Sequence, residues 1–279
     1  MKKILIAGAK SYIGESIEKW LLKRPKDFKI DTIDMQGLDW KSKSFSNYDV
    51  IFYVAGIAHK KETKENTYLY YKINRDLVVD VAKKASKAGI KQFIYISSMS
   101  VYGKNIGEIK KETVPKPVSH YGRSKLQAEE ILKELDSEKF KICILRPPMV
   151  YGKDCKGNFQ KLRKVAISFP FFPKFYNKRS MIYIENLAKF VEKIIENNMR
   201  GIFIPQDEEY VNTSNMVYQI AKAHEKKIIE TTIFNPLIKL GIKLNINILN
   251  KVFGDLVYEK VDIVKGKKFK DIINNIERE

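Results

Sequence analysis

Apolar and polar residues follow two periods along the first half of the chain, one typical of buried strands and one of amphipathic helices. Short apolar runs predict strands at residues 2–7, 29–34, 50–55, 92–97 and 141–146. Longer segments with helical spacing predict helices at residues 12–23, 71–88 and 120–135. Strands that alternate with helices are typical of a parallel sheet covered on both faces. We therefore predict an α/β fold built on a doubly wound parallel sheet, in which residues 35–49 leave room for only a stub of one strand and helix.

The pattern changes after Pro147, where turn-forming and aromatic residues dominate residues 147–159 and 168–180. Loops of this composition often carry binding groups. We predict a further helix at 185–197, a strand at 201–205, and a helix that Thr213 or Ser214 caps and that ends at Ala223.

This change divides the chain into a first domain at 1–150 and a smaller C-terminal domain at 151–279, with 181–205 packing back on the first. The remainder of the chain is amphipathic and rich in lysine, and a position of residues 233–253 on a membrane surface is one interpretation. Packing against the domain is the interpretation that we favour.

Composition argues against a membrane-spanning, secreted or disulfide-rich protein. The chain has 279 residues, of which 44% are hydrophobic, and no apolar run approaches the roughly 20 residues that span a bilayer. The apolar run at 4–9 leads into a glycine turn, which indicates a first strand rather than a signal peptide. With only Cys143 and Cys155, no disulfide framework is expected. We predict a cytoplasmic protein without membrane insertion or a metal site.

The net charge of +19 raises the question of a nucleic-acid partner. The basic residues are mostly scattered lysines, without an arginine-rich block or a basic–aromatic module. A solvated lysine surface is therefore the favoured interpretation, and no nucleic-acid partner is expected. Such a surface would attract an anionic small substrate.

Residues 8–14, GAKSYIG, lie between the first strand and the first helix. A dinucleotide pyrophosphate meets a helix N-terminus at this place in a doubly wound fold. Gly8 permits the tight turn, and Gly14 lets the helix approach the strand. Ser11 stands where a middle glycine would allow the closest backbone approach, and its N–H or hydroxyl is expected to reach phosphate.

Asp34 ends the second strand, twenty residues after Gly14. A carboxylate there accepts hydrogen bonds from an adenosine ribose and repels a 2′-phosphate. The sequence therefore favours NAD over NADP. Lys10 beside the turn keeps NADP as a minority interpretation, because a lysine can contact a 2′-phosphate.

Tyr121 and Lys125 lie at i and i+4 of a predicted helix, on one helical face. Strand 92–97 leads into Ser98, and the carboxyl ends of parallel strands face the ligand crevice. A tyrosine that acts as a base near pH 7 needs its pKa lowered by about 3 units, roughly 4 kcal/mol. A nearby ammonium and an oxidised nicotinamide both favour the phenolate. We predict Ser98, Tyr121 and Lys125 as the catalytic residues.

Two further Tyr–Lys pairs have the same spacing, Tyr68–Lys72 and Tyr218–Lys222. Neither follows a strand that ends in serine. We interpret both as surface pairs.

Together these motifs resemble the extended short-chain dehydrogenase/reductase superfamily, specifically its NAD-dependent nucleotide-sugar epimerases, dehydratases and reductases. GAKSYIG, YVAG, SSMSVYG, YGRSK and LRPPMVYG are similar to the family's motifs in the same order. The resemblance implies a Rossmann fold with a smaller substrate-binding domain. It implies cofactor contacts from Gly8, Ser11, Tyr12, Ile13, Gly14, Asp34, Ala55, Gly56, Asn74, Tyr121, Lys125 and Pro148. It also implies substrate contacts from Ser98, Asn158 and Arg179, the last two on a diphosphate.

The resemblance further implies 4-epimerisation of a UDP-hexose or UDP-N-acetylhexosamine through a 4-keto intermediate, in surface polysaccharide synthesis and as a homodimer. An NAD(P)H-dependent 4-keto reductase that makes a UDP-6-deoxy-amino sugar is the alternative. A 4,6-dehydratase is less favoured because Met99 and Ser100 stand where an acidic pair would serve. A dinucleotide-binding sensor without turnover and an RNA-binding relative are the remaining readings.

Overall fold

The computed structural model describes residues 1–58 and 62–278. Strands β1 to β14 span, in chain order, Lys2–Ala7, Phe28–Ile33, Val50–Tyr53, Gln92–Ile96, Gly107–Ile109, Lys141–Leu145, Met149–Tyr151, Phe171–Pro173, Met181–Tyr183, Gly201–Phe203, Gln206–Asp207, Ile229–Thr231, Leu256–Tyr258 and Ile263–Val264. Helices α1 to α11 span Tyr12–Leu21, Asp39–Ser42, Thr67–Tyr71, Leu77–Lys87, His120–Glu134, Asn158–Ser168, Ile184–Glu196, Thr213–Ala223, Asn235–Lys243, Asn247–Phe253 and Phe269–Arg278.

The chain forms two compact units. The first contains Met1–Gly103, Val114–Pro147 and Ile184–Pro205, and the second contains Lys104–Thr113, Pro148–Tyr183 and Gln206–Glu279.

A six-stranded parallel sheet organises the first unit, in the order β10-β6-β4-β3-β1-β2. Strands β3 and β4 are buried along their whole length, as expected for strands covered on both faces. On one face, α4 and α5 contribute Val78, Val81, Ala128 and Leu132 to the core cluster. On the other face, α1 contacts β1, β2 and α7. This architecture confirms the predicted doubly wound α/β fold.

Residues 34–49 contain no strand among the residues that the structure describes, and only the short helix α2. Trp40 and Phe45 are buried there, 5% and 1% exposed, and join the core cluster. Lys84 on α4 donates a hydrogen bond to the Trp40 carbonyl over 3.0 Å. Two buried aromatic side chains thus hold the segment where only a stub of a strand and helix was expected, and β2 lies at the edge of the sheet.

Two local predictions were wrong in detail. The helix predicted at 71–88 is interrupted by a π-helical turn at Lys72–Asp76, which joins α3 to α4. The cap of α8 is Asn212, whose side chain accepts from the Asn215 N–H over 2.8 Å. Ser214 is buried instead, and its hydroxyl donates to the Pro173 carbonyl over 2.8 Å.

The second unit is built on α6, α8 and α11, which pack together, and on the two-stranded parallel pairs β11–β14, β12–β8, β13–β5 and β7–β9. Buried Asp207 ties several of these elements together. Its carboxylate accepts the Tyr151 hydroxyl over 2.9 Å and the Tyr183 N–H over 3.0 Å. A buried carboxylate that accepts hydrogen bonds from two elements holds them in place.

Helices α9 and α10 depart from the expectation that residues 233–253 pack their apolar side chains against the domain. In α9, Ile238 and Gly241 are buried. Leu237 and Leu240 on the same helix are 66% and 52% exposed. The segment therefore buries one side and presents a second apolar side to solvent. None of the helices in residues 1–58 and 62–278 has the length and apolar character that crossing a bilayer requires.

Candidate active site

The turn after β1 brings the ends of three strands together. The N–H groups of Gly8 and Ala9 both donate to the Ile33 carbonyl, over 2.9 and 3.0 Å. Gly8 has a φ of +130°, and a Cβ built on it would lie 2.7 Å from the Ala55 nitrogen. Only glycine fits this position, both for conformation and for space. The turn therefore exposes bare backbone ahead of α1, the arrangement that a pyrophosphate needs.

Ser11 is the N-cap of α1. Its hydroxyl donates to the Gly8 carbonyl over 2.7 Å and accepts from the Gly14 N–H over 3.1 Å. Its own N–H also donates to the Gly8 carbonyl, over 3.2 Å. Both Ser11 donors are thus engaged inside the turn, whereas the sequence led us to expect one of them to face phosphate. Tyr12 and Ile13, which follow, form the first turn of α1.

Asp34 follows the carboxyl end of β2, as predicted. Its carboxylate accepts the Gln36 N–H over 2.9 Å and lies 3.4 Å from the Lys10 ammonium. The hydrogen bond from Gln36, with a smaller contribution from Lys10, lowers the pKa of Asp34 below its usual value. An ionised, solvent-accessible carboxylate at this strand end suits a ribose diol and disfavours a phosphate ester.

Beyond β3, the chain passes Ala55 and Gly56 and is held by buried Asn74. The Asn74 side chain accepts the Ile57 N–H over 2.9 Å and donates to the Ile57 carbonyl over 3.0 Å. A Cβ on Gly56 would meet the side-chain amide oxygen of Asn74 at 2.8 Å and lie 3.4 Å from the Lys125 ammonium nitrogen. Asn74 lies in the π-helical turn, a feature that is frequent at functional sites.

Lys125 is buried on α5, with 5% of its surface exposed. Its ammonium donates to the Ile96 carbonyl at the end of β4 over 2.8 Å and lies 4.7 Å from the Tyr95 ring centroid. Burial lowers the pKa of Lys125 to about 7, although the charge of Glu129 opposes this shift. Lys125 therefore changes its charge near neutral pH.

Tyr121 and Ser98 meet from two different elements. Tyr121 lies in the first turn of α5, and Ser98 follows β4 as the N-cap of the 3-10 helix Met99–Tyr102. Burial raises the pKa of Tyr121, and a hydrogen bond with Ser98 partly offsets this. The three predicted catalytic residues thus gather around the carboxyl end of β4.

Besides its N-cap Ser119, the N-terminus of α5 is stabilised by Glu62, which sequence reasoning missed. The Glu62 carboxylate accepts the N–H groups of His120 and Tyr121, over 3.2 and 3.0 Å. A carboxylate at a helix N-terminus is stabilised both by these donors and by the helix dipole. Glu62 thereby fixes the backbone of Tyr121. No local signal reveals this, because 59 residues separate the two.

A buried ion pair lies behind the site. Glu129 on α5 is fully buried, and its two carboxylate oxygens share the Arg146 Nε–H, each at 3.1 Å, while Arg146 Nη2 donates to one of them. The Ser97 hydroxyl also donates to Glu129, and Arg146 Nη1 donates to the Tyr102 hydroxyl over 2.8 Å. This network joins α5 to the ends of β4 and β6. Sequence reasoning missed it as well.

Of the substrate residues implied by the resemblance, Asn158 and Arg179 belong to the second unit, as does Pro148, which was predicted to contact the cofactor. Asn158 is exposed at the start of α6, and Pro148 is buried before β7. Arg179 Nη1 donates to the carbonyls of Gly254 and Asn250, over 3.0 and 3.3 Å. Burial lowers the pKa of Arg179 from its ordinary value, and Asp255 opposes this shift. One guanidinium nitrogen is therefore committed to the C-terminal end of α10.

The two other Tyr–Lys pairs have surface positions. Tyr68 on α3 is 61% exposed, and Tyr218 on α8 is 38% exposed. Neither pair surrounds a strand end in the part of the chain that the structure describes.

The first unit fits a bound dinucleotide by its own geometry. Besides the bare Gly8 turn, a Cβ on Gly14 would lie 2.6 Å from the Ser11 hydroxyl oxygen, so helix and turn approach as closely as backbone allows. The first helix turn offers N–H groups for phosphate, Asp34 suits a ribose, and Lys125 lies beside the Gly56 backbone.

Comparison with known proteins agrees with this geometry. The model of the "NAD dependent epimerase/dehydratase family" matches residues 4–204. A curated relative from Escherichia coli O157:H7, N-acetyl-alpha-D-glucosaminyl-diphospho-ditrans,octacis-undecaprenol 4-epimerase, is 29% identical over 246 residues, 86% of this chain and 72% of the relative. The UDP-glucose 4-epimerase of Vibrio cholerae is 29% identical over 251 residues, 81% of this chain and 76% of the relative.

Solved structures show the same fold. The UDP-glucuronic acid 4-epimerase from Bacillus cereus, in complex with NAD, superimposes with a TM-score of 0.76 at 18% identity, covering 99% of this chain and 97% of that one. The dTDP-4-dehydrorhamnose reductase from Bacillus anthracis, in complex with NADP, gives 0.74 at 17% identity, covering 99% and 98%.

Proposed function

Because the chain belongs to the NAD dependent epimerase/dehydratase family, we propose that it is an NAD-dependent 4-epimerase of a UDP-linked hexose or N-acetylhexosamine. The observation that carries this proposal is the convergence of Ser98, Tyr121 and Lys125 at the carboxyl end of β4. The two curated 4-epimerases, each 29% identical over more than four fifths of this chain, support it.

The chemistry that NAD supplies when bound is reversible acceptance of the hydride at C4 of the sugar. The Gly8 turn and the first turn of α1, Tyr12 and Ile13, hold its pyrophosphate, and Asp34 holds the adenosine ribose. Ala55, Gly56, Asn74 and Pro148 line its path, with Ser11 fixing the turn.

Tyr121 accepts the proton of the C4 hydroxyl and later returns it, while Ser98 donates a hydrogen bond to the same oxygen. Since burial raises the pKa of Tyr121, the phenolate needs more than about 4 kcal/mol of stabilisation to act near pH 7. Ser98 and the charged form of Lys125 are the groups of this chain that supply part of it. Asn158 and the two remaining guanidinium nitrogens of Arg179 hold the diphosphate of the substrate.

The two curated relatives differ in what carries the sugar diphosphate, a nucleoside in one and undecaprenol in the other. A polyprenol-linked sugar diphosphate is therefore a second candidate substrate. The exposed apolar side of α9 favours it. In either case we propose a cytoplasmic homodimeric enzyme of surface polysaccharide synthesis.

Turnover without added cofactor tests the proposal. The purified protein is incubated with UDP-glucose or UDP-N-acetylglucosamine, and the C4 epimer is detected by proton NMR. Denaturing a second sample and identifying the released nucleotide by chromatography and mass should give NAD. Tyr121→Phe should lose activity by about 10²-fold or more while retaining the nucleotide.

Tyr218→Phe is the matched control, because it removes the same hydroxyl from a Tyr–Lys pair of identical spacing on the surface. Near-full activity in Tyr121→Phe would refute the mechanism. If the protein instead consumes NADH or NADPH only with a 4-keto sugar, the reductase alternative replaces the epimerase.

A further inference from the structure

Helices α9 and α10 present an apolar surface to solvent, which we call the α9–α10 surface. It consists of Ile233, Leu237, Leu240, Leu244 and Ile248, which are 79%, 66%, 52%, 65% and 66% exposed. Isolated exposed apolar side chains are ordinary, but a contiguous set of large ones marks an interaction site. These five fall within sixteen consecutive residues.

The spacing of these residues explains how one short helix has two apolar sides. Leu237 and Leu240 of α9 and its C-cap residue Leu244 stand at i, i+3 and i+7, so they follow one face of the helix. Ile238 and Gly241 occupy the adjacent side, which is buried. Packing within the second unit is therefore satisfied by the buried side alone, and the leucine face is available for a partner.

The charged residues within the segment that carries the α9–α10 surface are all basic, while Glu230 and Asp255, which flank it, contact Lys174 and Lys178. Residues 231–254 contain Lys239, Lys243 and Lys251 and no acidic residue, and all three lysines are exposed. The whole chain carries a net charge of +19. A second copy would bring the same lysines against each other, which like-charge repulsion opposes. A partner with negative charges beside an apolar interior is complementary.

We propose that the α9–α10 surface docks on the surface of an anionic lipid bilayer. The isoleucine and leucine side chains enter the boundary between headgroups and acyl chains, and the lysines contact lipid phosphates. The helix lies on the membrane and does not cross it. Through Gly254 and Asn250, the end of α10 is hydrogen-bonded to Arg179, so the segment that docks also holds the arginine proposed for the diphosphate.

Flotation with vesicles of defined composition tests the docking, using the full chain and no substrate. The vesicles are phosphatidylcholine alone or phosphatidylcholine with 30% phosphatidylglycerol, an arbitrary test mixture. The wild type should float with the anionic vesicles and stay at the bottom with the neutral ones. Leu237→Gln/Leu240→Gln/Leu244→Gln should reduce the floated fraction by about tenfold, because it removes apolar contact and keeps every charge.

The single variants Leu240→Gln and Leu22→Gln are a matched pair, since these leucines are 52% and 51% exposed and Leu22 lies in the first unit at the end of α1. Only Leu240→Gln should weaken flotation. A midpoint of thermal unfolding equal to that of the wild type verifies that each variant is folded.

Two results would overturn the proposal. The first is a triple variant that floats like the wild type, since the scattered lysines would then bind vesicles without the α9–α10 surface. The second is a wild type that does not float with the anionic vesicles. If that wild type also sediments as a dimer and the triple variant sediments as a monomer, the surface is an interface between copies. The epimerase assay without lipid is independent of both outcomes, so failure of docking and failure of the proposed function are distinguishable.

Discussion

Glu129→Gln offers a direct test of the buried ion pair behind the site. Arg146 is 4% exposed and Glu129 is fully buried, so water does not solvate their charges. In the wild type, Glu129 balances the guanidinium and accepts the Ser97 hydroxyl as well. Glutamine keeps the shape and one acceptor oxygen but removes the charge, which leaves a cation buried without its partner.

The size of the effect follows from this geometry. Removing one partner of a buried pair destabilises a protein by about 3–5 kcal/mol, because the remaining charge stays desolvated. For a domain of 150–250 residues, each kcal/mol lowers the midpoint of thermal unfolding by about 2–4 °C. We therefore expect Glu129→Gln to unfold roughly 6–20 °C below the wild type, measured by circular dichroism at 222 nm.

Glu130→Gln is the control, because Glu130 is the next residue of the same helix and is exposed. It should stay within about 0.5 kcal/mol of the wild type. The double variant Glu129→Leu/Arg146→Met removes both charges and should recover most of the lost stability. If Glu129→Gln melts within 1 °C of the wild type, the pair does not carry the charge balance that we assign to it.

Two further predictions concern Lys125 and the glycine turn. In the folded protein the pKa of Lys125 is about 7, against 10.5 for an ordinary lysine, so the unfolded chain binds more protons between these values and the wild type gains stability as pH rises through them. Urea unfolding should therefore show that Lys125→Met has a higher free energy of unfolding than the wild type at pH 7, and that this difference shrinks by up to about 5 kcal/mol as the pH rises to 10.5. Exposed Lys133→Met is the control. A difference in the free energy of unfolding between Lys125→Met and the wild type that does not change with pH would contradict the assignment. Gly8→Ala should lower the free energy of unfolding by about 1–3 kcal/mol and release the bound nucleotide, because the new Cβ meets the Ala55 nitrogen at 2.7 Å. Gly89→Ala is the control and should keep the nucleotide, because Gly89 also has a positive φ but a Cβ there meets nothing within 4 Å.

The parts of the structure that the sequence predicts are those with local causes. β1 has the predicted bounds, because the apolar residues 4–7 lead directly into a glycine that must turn. Helix α5 begins at the predicted His120, because Ser119 before it caps the Gly122 N–H over 3.0 Å. The position of Ser98 follows from the rule that the carboxyl ends of parallel strands lie on one side of the sheet.

The parts that escaped prediction depend on contacts between distant residues. The Glu62 cap of α5 and the Glu129–Arg146 pair join residues that no sequence period relates. The π-helical turn could not be predicted, because the sequence of Lys72–Asp76 continues an ordinary helical pattern. The structure distinguishes it by buried Asn74, whose side chain donates to the Ile57 carbonyl. The two apolar sides of α9 likewise have similar composition, so only tertiary packing decides which one is buried.

The state of Lys125 links the buried network to the proposed chemistry. Burial alone drives its pKa down, and Glu129, one helical turn away, opposes that shift. The effect of burial is larger than that of Glu129, so Lys125 titrates near neutrality instead of remaining a fixed cation. A lysine with a pKa of 10.5 is neutral in only about one molecule in three thousand at pH 7. A group that both gives and accepts a proton near pH 7 suits a reaction that must run the same proton step in each direction, as epimerisation does.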